Sequence, residues 1–195
     1  MNIGWDVILA VFTSFLHIVG YIVYNYQVMK GSSKPNTATW FLWSLITILN
    51  FTSYNIASGD WVKSLLPTIS ALMVIMTFLL TLLRGKFSKL NKFDNLALVA
   101  GLISVLVWWQ FNSAVYANLI LQAAILIGFV PTYLGVFRNP KNEKPLPWLI
   151  WSIVYVLGTL IVLLRWNGQY IDIIYPLVTG LMAHGGMALL SLRKK

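Results

Sequence analysis

The sequence contains no cysteine and few charged residues. Charged side chains make up 10% of its 195 residues, against roughly a quarter in a soluble domain. Without cysteine, a disulfide framework, a thiolate nucleophile and a cysteine-based metal site are all excluded. The two histidines, His17 and His184, are too few and too far apart to form a metal site by themselves. We therefore expect no metal and no cofactor.

Acidic residues are also scarce, and we expect none in the middle of an apolar segment. Those present are Asp6, Asp60, Asp94, Glu143 and Asp172, all at segment ends or in loops. Proton-driven carriers commonly hold a buried acid as a relay, so this pattern favours a facilitator for a neutral or mildly polar solute. His17 leaves proton coupling as an alternative. No catalytic triad, carboxylate pair or metal set falls at one depth, so an enzyme is not expected.

Long hydrophobic runs dominate the rest of the chain, since 58% of residues are hydrophobic. About 20 apolar residues are needed to cross a bilayer as a helix. Seven segments are predicted to do so: 6–29, 37–57, 61–83, 95–111, 114–137, 145–164 and 170–192. The strict alternation of a membrane β-barrel is absent. The fold class is therefore an all-α polytopic membrane protein.

Basic residues predict how these helices are oriented. With the N-terminus outside, alternate loops on the inner side hold all but two of the 14 Lys and Arg residues, and only Lys63 and Arg165 lie outside. Such asymmetry marks the cytoplasmic side of a membrane protein. The net charge of +9 is then a topology signal that faces anionic lipid, and no nucleic-acid partner is expected. We predict the plasma (inner) membrane, with the C-terminus cytoplasmic.

The chain contains the motif W-x-x-W-S twice, at Trp40 to Ser44 and at Trp148 to Ser152. Residues upstream of the two motifs also match when the sequence is aligned on them, so that Gly20 corresponds to Gly128. Downstream, after a one-residue insertion, Pro67-x-x-Ser70 matches Pro176-x-x-Thr179. We interpret this as a duplication of three helices. The predicted units are residues 1–85, a connector loop and fourth helix over 86–113, and 114–195, with both repeats running in the same direction.

Three helices, a connector helix and three helices resemble the SWEET sugar transporters and the wider PQ-loop superfamily. That superfamily includes the bacterial SemiSWEETs, PnuC-type vitamin transporters and KDEL receptors. The Pro-Gln dipeptide that names it is absent, because the corresponding residues read Val23-Tyr24 and Pro131-Thr132. The resemblance implies alternating access to a pocket between two three-helix bundles, with Trp43 and Trp151 as pocket aromatics.

The resemblance also implies a hinge in the fifth segment, at Pro131 and its neighbour Gly128. Inside a helix a proline removes a hydrogen bond to the carbonyl four residues earlier, here that of Ile127, and so favours a bend.

Polar and aromatic stripes provide the candidate site. In a membrane such residues must face a cavity or one another. The candidate substrate-binding residues are His17, Tyr21, Tyr24, Trp43, Thr47, Asn50, Ser70, Trp151, Tyr155 and Thr179. Interhelical hydrogen bonding without a substrate is the alternative for each of them. Trp40 and Trp148, close to basic loops, are predicted to lie in the interfacial aromatic belt, and His184 to be a neutral, hydrogen-bonded packing residue.

These patterns predict a membrane transporter, a facilitator that moves a small polar ring-containing solute such as a sugar or vitamin. The alternative is a non-transporting receptor or sorting protein that binds a small ligand or peptide in the same cleft. The expected partners are the solute, the lipid bilayer and possible further copies of the chain.

Overall fold

Seven long helices account for most of the computed structural model, which describes residues 4–84 and 89–193. The first six are α1 (Trp5–Met29), α2 (Thr37–Ser58), α3 (Trp61–Arg84), α4 (Lys92–Phe111), α5 (Ala114–Arg138) and α6 (Pro145–Leu164). The seventh, α7 (Tyr170–Leu192), contains a π-helical segment at Tyr175–Met182. A short 3₁₀ turn, Pro140–Asn142, precedes α6.

Side-chain caps set several helix ends. Asn36 accepts hydrogen bonds from the first backbone amides of α2, and Asn91 forms a reciprocal capping box with Asp94 at the start of α4. Both caps satisfy amides that have no partner within the helix. Gly59 ends α2 with φ at 63°, a left-handed conformation that costs glycine little. The helices therefore break at turn formers, as the sequence predicts.

Six of the helices are long and apolar enough to cross a membrane by length and composition. The prediction of a helical protein with several membrane-length helices is confirmed. The helix outside this set is α2, which has 22 residues but carries many Ser, Thr and Asn side chains that lower its hydropathy. Large apolar residues such as Phe15, Ile22, Leu72 and Leu106 are exposed on outer faces, as expected for contact with lipid.

The helices other than α4 form a closed ring. Along it, α3 packs against α1, α1 against α6, α6 against α7, α7 against α5, α5 against α2, and α2 against α3. The remaining helix, α4, lies outside the ring along α5 and α2. The core is the aromatic interior of this ring.

The ring has two distinct ends, which we name after a residue at each. At the Arg165 end the start of α1, the α2–α3 loop and the end of α6 meet. At the Glu143 end the end of α1, the start of α2 and the α5–α6 loop meet. Of the basic residues that the structure describes, only Lys63 and Arg165 belong to the Arg165 end.

The π-helical segment in α7 was not predicted from sequence. It contains Pro176, which has no amide hydrogen for the carbonyl of Asp172 four residues earlier. That carbonyl accepts the Tyr54 hydroxyl at 2.8 Å. Gly180 allows the Tyr155 ring to pack directly on the segment. Such segments are frequent at functional sites, and this one borders the central cavity.

Candidate functional site

A small cavity lies at the centre of the helix ring, and most of the side chains that line it are buried. Its volume is about 40 Å³, enough for a few water molecules. Aromatic and hydroxyl side chains from the ring helices surround it. The lining residues are Tyr21, Trp40, Trp43, Thr47, Ser70, Val74, Ile125, Phe129, Trp148, Trp151, Tyr155, Tyr175, Thr179 and His184.

The two tryptophan pairs have the same geometry. The Trp40 and Trp43 rings lie 5.1 Å apart at 82°, and those of Trp148 and Trp151 lie 5.2 Å apart at 82°. This edge-to-face arrangement is favourable for aromatic rings. The indole nitrogens of Trp43, Trp148 and Trp151 are buried without a hydrogen-bond partner. These three tryptophans of the cavity lining therefore have N–H donors whose hydrogen-bonding capacity is unused in this state.

The prediction that Trp40 and Trp148 lie in an interfacial belt is wrong. Their exposed fractions are 3% and 1%, and both line the cavity. Both residues point inward because Trp40 packs against Tyr21 and Tyr24, while Trp148 packs against Tyr24 and Phe129. Their position close to a basic loop indicates how deep the two residues lie in the bundle. It does not indicate whether their side chains point to lipid or to the interior.

A chain of polar side chains runs along the side of the cavity nearer the Arg165 end. His17 Nε2 lies 3.0 Å from the Ser70 hydroxyl, which lies 3.5 Å from the Tyr155 hydroxyl. Tyr155 in turn lies 3.2 Å from the Tyr175 hydroxyl. Hydroxyl groups can both donate and accept. This chain can therefore reorient to bind either kind of polar group on a solute.

His184 is hydrogen-bonded as predicted, but it also lines the cavity. Its Nδ1 lies 2.8 Å from the Gly180 carbonyl, which can only accept, so Nδ1 carries the hydrogen. In the neutral ring the other nitrogen, Nε2, is then an acceptor. The ring centroid lies 4.7 Å from that of Tyr155 and 5.6 Å from that of Trp151.

Most of the predicted site residues meet at this cavity. Those that line it are Tyr21, Trp43, Thr47, Ser70, Trp151, Tyr155 and Thr179. His17 lies one layer behind, with its ring against Tyr21 and Tyr155. Tyr24 lies toward the Glu143 end, and Asn50 lies between helices outside the lining. Sequence reasoning did not select Tyr175 or Phe129, although Phe129 matches Tyr21 in the repeat.

Asn50 belongs to a polar cluster between α2, α5 and α7. Its side-chain oxygen accepts from Asn118 at 3.0 Å and from Gln122 at 2.7 Å. Gln122 accepts from Thr179 at 2.6 Å, which ties the cluster to the π-helical segment. Asn118 and Gln122 were missed in the sequence, although their four-residue spacing within an apolar helix signals a shared polar face. In this state the amide of Asn50 joins helices.

The candidate hinge residues, Gly128 and Pro131, lie further along α5. The helix runs without interruption through Pro131. A Cβ atom at Gly128 would lie 2.8 Å from the indole nitrogen of Trp43, so this glycine allows the tryptophan of α2 to cross α5 closely. The structure thus gives Gly128 a packing role, and its role as a hinge stays a prediction.

Ion pairs close the Arg165 end. Lys63 Nζ lies 2.6 Å from Asp172 Oδ2, with both side chains almost fully buried. Above them Arg165 pairs with Asp6 and, at 2.7 Å, with Asp60. Partial burial opposes ionisation of Asp60, but the Arg165 guanidinium holds the pKa of that carboxyl below its usual value. These bonds join α1, α3, α6 and α7 across one mouth of the cavity.

Fewer charges close the Glu143 end. The Tyr24 hydroxyl donates to Glu143 Oε1 at 3.1 Å, and the Lys34 amide donates to the Asn142 carbonyl at 2.9 Å. These bonds hold the α1–α2 loop and the end of α1 against the α5–α6 loop. The other closing element is the aromatic cluster of Tyr24, Trp40 and Trp148.

The acids lie at helix ends and in loops, as predicted, but three of them are buried. Asp94 and Asp172 have no exposed surface, and Glu143 is 4% exposed. The two histidines are therefore not the only buried ionisable side chains. Residues of other helices cover these acids, since Thr39 donates to Asp94, Lys63 pairs with Asp172 and Tyr24 donates to Glu143. A linear division into spans and loops does not reveal these contacts.

A larger depression of about 980 Å³ lies between α5 and the second half of α7. It opens sideways, and apolar residues such as Leu134, Met182 and Leu189 form its walls. Phe129 separates it from the central cavity, since this residue lines both. Its lining offers few polar groups to orient a polar solute. The central cavity is therefore the better candidate for a polar ligand, although it is much smaller.

Within residues 4–84 and 89–193, no group of three His, Asp or Glu side chains is arranged to hold a metal ion. No family model, curated protein or solved structure matches the chain.

Proposed function

We propose that this protein is a membrane transporter that moves a small polar ring-containing solute, sugar or vitamin-like, by alternating access. The observation that carries the proposal is a central cavity, aromatic and hydroxyl-lined, that a separate set of bonds closes at each end. A solute carrier needs a site that can open to one side at a time. Ion pairs at one end and an aromatic and hydrogen-bonded closure at the other can break independently.

The proposed architecture is two parallel three-helix repeats, α1–α3 and α5–α7, with α4 as the connector. Exchanging the repeats maps the helix ring onto itself, because the α1–α6 packing corresponds to that of α5 with α2. The equal geometry of the two tryptophan pairs supports the same relation. So does the ion pair of Lys63 with Asp172, which occupy matched positions 109 residues apart.

Transport requires the cavity to widen. A volume of about 40 Å³ is well below the roughly 300 Å³ of a typical small-molecule site. We take this conformation to be an occluded state in which the aromatic walls have closed on each other. Rocking of one repeat against the other, with bending of α5 near Gly128 and Pro131, would separate the Trp43 and Trp151 walls.

In the proposed orientation the Glu143 end faces the cytoplasm and the Arg165 end faces outward. The basic residues at the Glu143 end support this orientation through their attraction to the anionic inner leaflet. Lys63 and Arg165 lie at the outward end, but they do not contradict this orientation because both are neutralised in ion pairs.

The proposal is tested in two steps, which are identification of a ligand that binds and measurement of its transport across a bilayer. A thermal-unfolding screen of the purified protein against sugars, nucleosides and vitamins identifies a ligand, because binding to the folded form raises the melting temperature. Flux of that ligand is then measured in liposomes for the wild type, Trp151→Ala and Trp43→Ala. Trp109→Ala is the matched control, since Trp109 is 80% exposed on α4.

We expect the two cavity variants to lose uptake and Trp109→Ala to retain it. Saturable binding without exchange across the bilayer would replace the transporter proposal with a receptor. Normal uptake by both cavity variants would remove the cavity as the site.

A further inference from the structure

Glu143 is a buried carboxyl group with unused hydrogen-bonding capacity. It lies in the α5–α6 loop, and its side chain is enclosed by the end of α1, the α1–α2 loop and the first turn of α6. Oε1 accepts from the Tyr24 hydroxyl at 3.1 Å, whereas Oε2 is buried without a partner. Among the residues that the structure describes, no Lys or Arg nitrogen lies within 4.0 Å of this carboxyl group.

The surroundings of Glu143 explain why its charge is uncompensated. From α1 it faces the Tyr24 hydroxyl, from the α1–α2 loop the Ser33 hydroxyl, and from α6 the Trp148 indole. The charged groups at this end of the neighbouring elements are Lys30, Lys34, Arg138, Lys141, Lys144 and Arg193, and all have exposed side chains. Arg193 is turned toward the Phe137 carbonyl. Solvent screens these cations from the buried carboxyl group.

A carboxylate in such a place is costly, so the neutral acid is favoured. Burial raises the pKa of Glu143 to about 7, against the opposing effects of the Tyr24, Trp148 and Ser33 side chains. The acid is therefore poised to lose or gain a proton near neutral pH in this closed state.

Glu143 is linked to the cavity through two aromatic residues. Tyr24, its hydrogen-bond donor, packs its ring 5.1 Å from that of Trp40 and 5.5 Å from that of Trp151. Trp148 lines the cavity, and its indole nitrogen has no partner. A change in the protonation state of Glu143 therefore alters the contacts of Tyr24 and Trp148, the aromatic residues that close the Glu143 end.

We propose that Glu143 is a proton-binding site, and that loss of its proton opens the Glu143 end of the cavity. In the closed state the group is a neutral acid. When the O–H bond breaks and the proton passes to solvent, the remaining carboxylate requires hydration. Hydration separates the α5–α6 loop from Tyr24 and frees Trp148. The effect on transport rests on the proposed function, whereas the proton site and the opening do not.

The first experiment detects the proton itself. Infrared difference spectra of the purified protein are recorded from about pH 5 to about pH 9, on both sides of neutrality and above the ordinary pKa of a glutamate. We expect the band of a protonated buried carboxyl group to disappear with an apparent pKa of about 7. The band should be missing in Glu143→Gln. Its persistence in that variant, or its absence from the wild type at about pH 5, would overturn the proposal.

The second experiment detects the opening without reference to any solute. Because the sequence has no cysteine, a single Thr47→Cys substitution places one thiol at the cavity, and its labelling by a hydrophilic maleimide reports water access. An exposed thiol from Lys141→Cys in a parallel protein corrects for the intrinsic pH dependence of the reagent.

The corrected labelling rate should rise by up to about tenfold per pH unit below the pKa and then level off. In the Glu143→Gln background it should be slow at every pH. In Tyr24→Phe the rise should move to higher pH, since the lost hydrogen bond favours the carboxylate. The opening mechanism would be overturned if the labelling rate of Thr47→Cys did not change with pH while Glu143 is present, or if it changed in the same way in the Glu143→Gln background. Failure of the liposome assay alone would refute transport and leave both results standing.

Discussion

Trp151 lies directly over Gly20, and its counterpart Trp43 lies directly over Gly128. A Cβ atom at Gly20 would be 2.5 Å from the Trp151 indole nitrogen, and one at Gly128 would be 2.8 Å from that of Trp43. Each contact joins a helix of the first half of the chain to a helix of the second. The two largest interfaces that join α1–α3 to α5–α7 are α1 with α6 and α2 with α5. Each therefore depends on the absence of a side chain at one position.

We expect Gly20→Ala and Gly128→Ala to destabilise the protein. The added methyl group must displace a buried indole ring, and overpacking of this kind costs about 1–3 kcal/mol. Gly101→Ala in α4 is the matched control, because its Cβ atom would meet only Ile46 at an ordinary 3.9 Å. There the better helix propensity of alanine should leave stability equal or slightly higher.

Thermal unfolding of the variants in the same detergent measures the difference. Equal melting temperatures for Gly20→Ala and Gly101→Ala would show that the close approach at Gly20 is not needed for packing.

Much of this fold is predictable from the sequence because residues of the repeated motifs form the contacts between α1–α3 and α5–α7. Trp43, Trp151, Gly20 and Gly128 can all be selected as matched positions from the repeat alone. Their pairing cannot, because a repeat specifies equivalent residues but does not specify which helix each one faces. The helix limits were predicted closely, since polar turns separate long apolar runs.

We expect substitution of either partner of the buried Lys63–Asp172 pair to be strongly destabilising. Lys63→Met leaves an unpaired carboxylate, and Asp172→Leu leaves an unpaired ammonium group, at a site where both side chains are at most 1% exposed. Removal of one partner of a buried pair costs about 3–5 kcal/mol. The double variant removes both charges and should recover most of this loss.

Chemical denaturation of the two single variants and the double variant gives the coupling energy between the residues. Additive losses in the double variant would contradict a direct interaction. If the pair also closes the Arg165 end, the double variant should label faster at Thr47→Cys while remaining folded.

The site was harder to predict than the fold. Trp40 and Trp148 were misread because an aromatic residue near a basic loop has the same sequence pattern whether it points to lipid or to the core. Glu143 was placed correctly in a loop, but its burial depends on the contact of that loop with Tyr24, far away in the chain. In the sequence only Pro176 accompanies the π-helical segment, and proline also occurs in the first turn of ordinary helices.

Asn50→Ala should reduce stability and leave ligand affinity unchanged. The substitution removes the acceptor shared by Asn118 and Gln122, and an unsatisfied buried donor costs about 1–3 kcal/mol. Because Asn50 lies outside the cavity lining, the ligand identified by thermal shift should bind the folded variant with its normal Kd. Trp151→Phe, which changes the cavity wall, should weaken binding with a smaller loss of stability. A large increase in Kd for Asn50→Ala would instead place its amide at the solute.

Glu143 predicts a specific dependence of stability on pH. Its pKa is raised from 4.5 to about 7 in the folded protein, so the folded state binds the proton more tightly than the unfolded state. This contribution is fully present below the unfolded pKa and is lost as the pH rises through about 7. A shift of this size corresponds to about 3 kcal/mol. The melting temperature of the wild type minus that of Glu143→Gln should therefore fall between acidic and mildly alkaline pH, because the subtraction removes the contributions of the buried histidines and of every other group that the two proteins share. A difference between the two proteins that is constant or rises over this interval would mean that Glu143 is ionised in the folded protein, with a compensating cation or water close to Oε2.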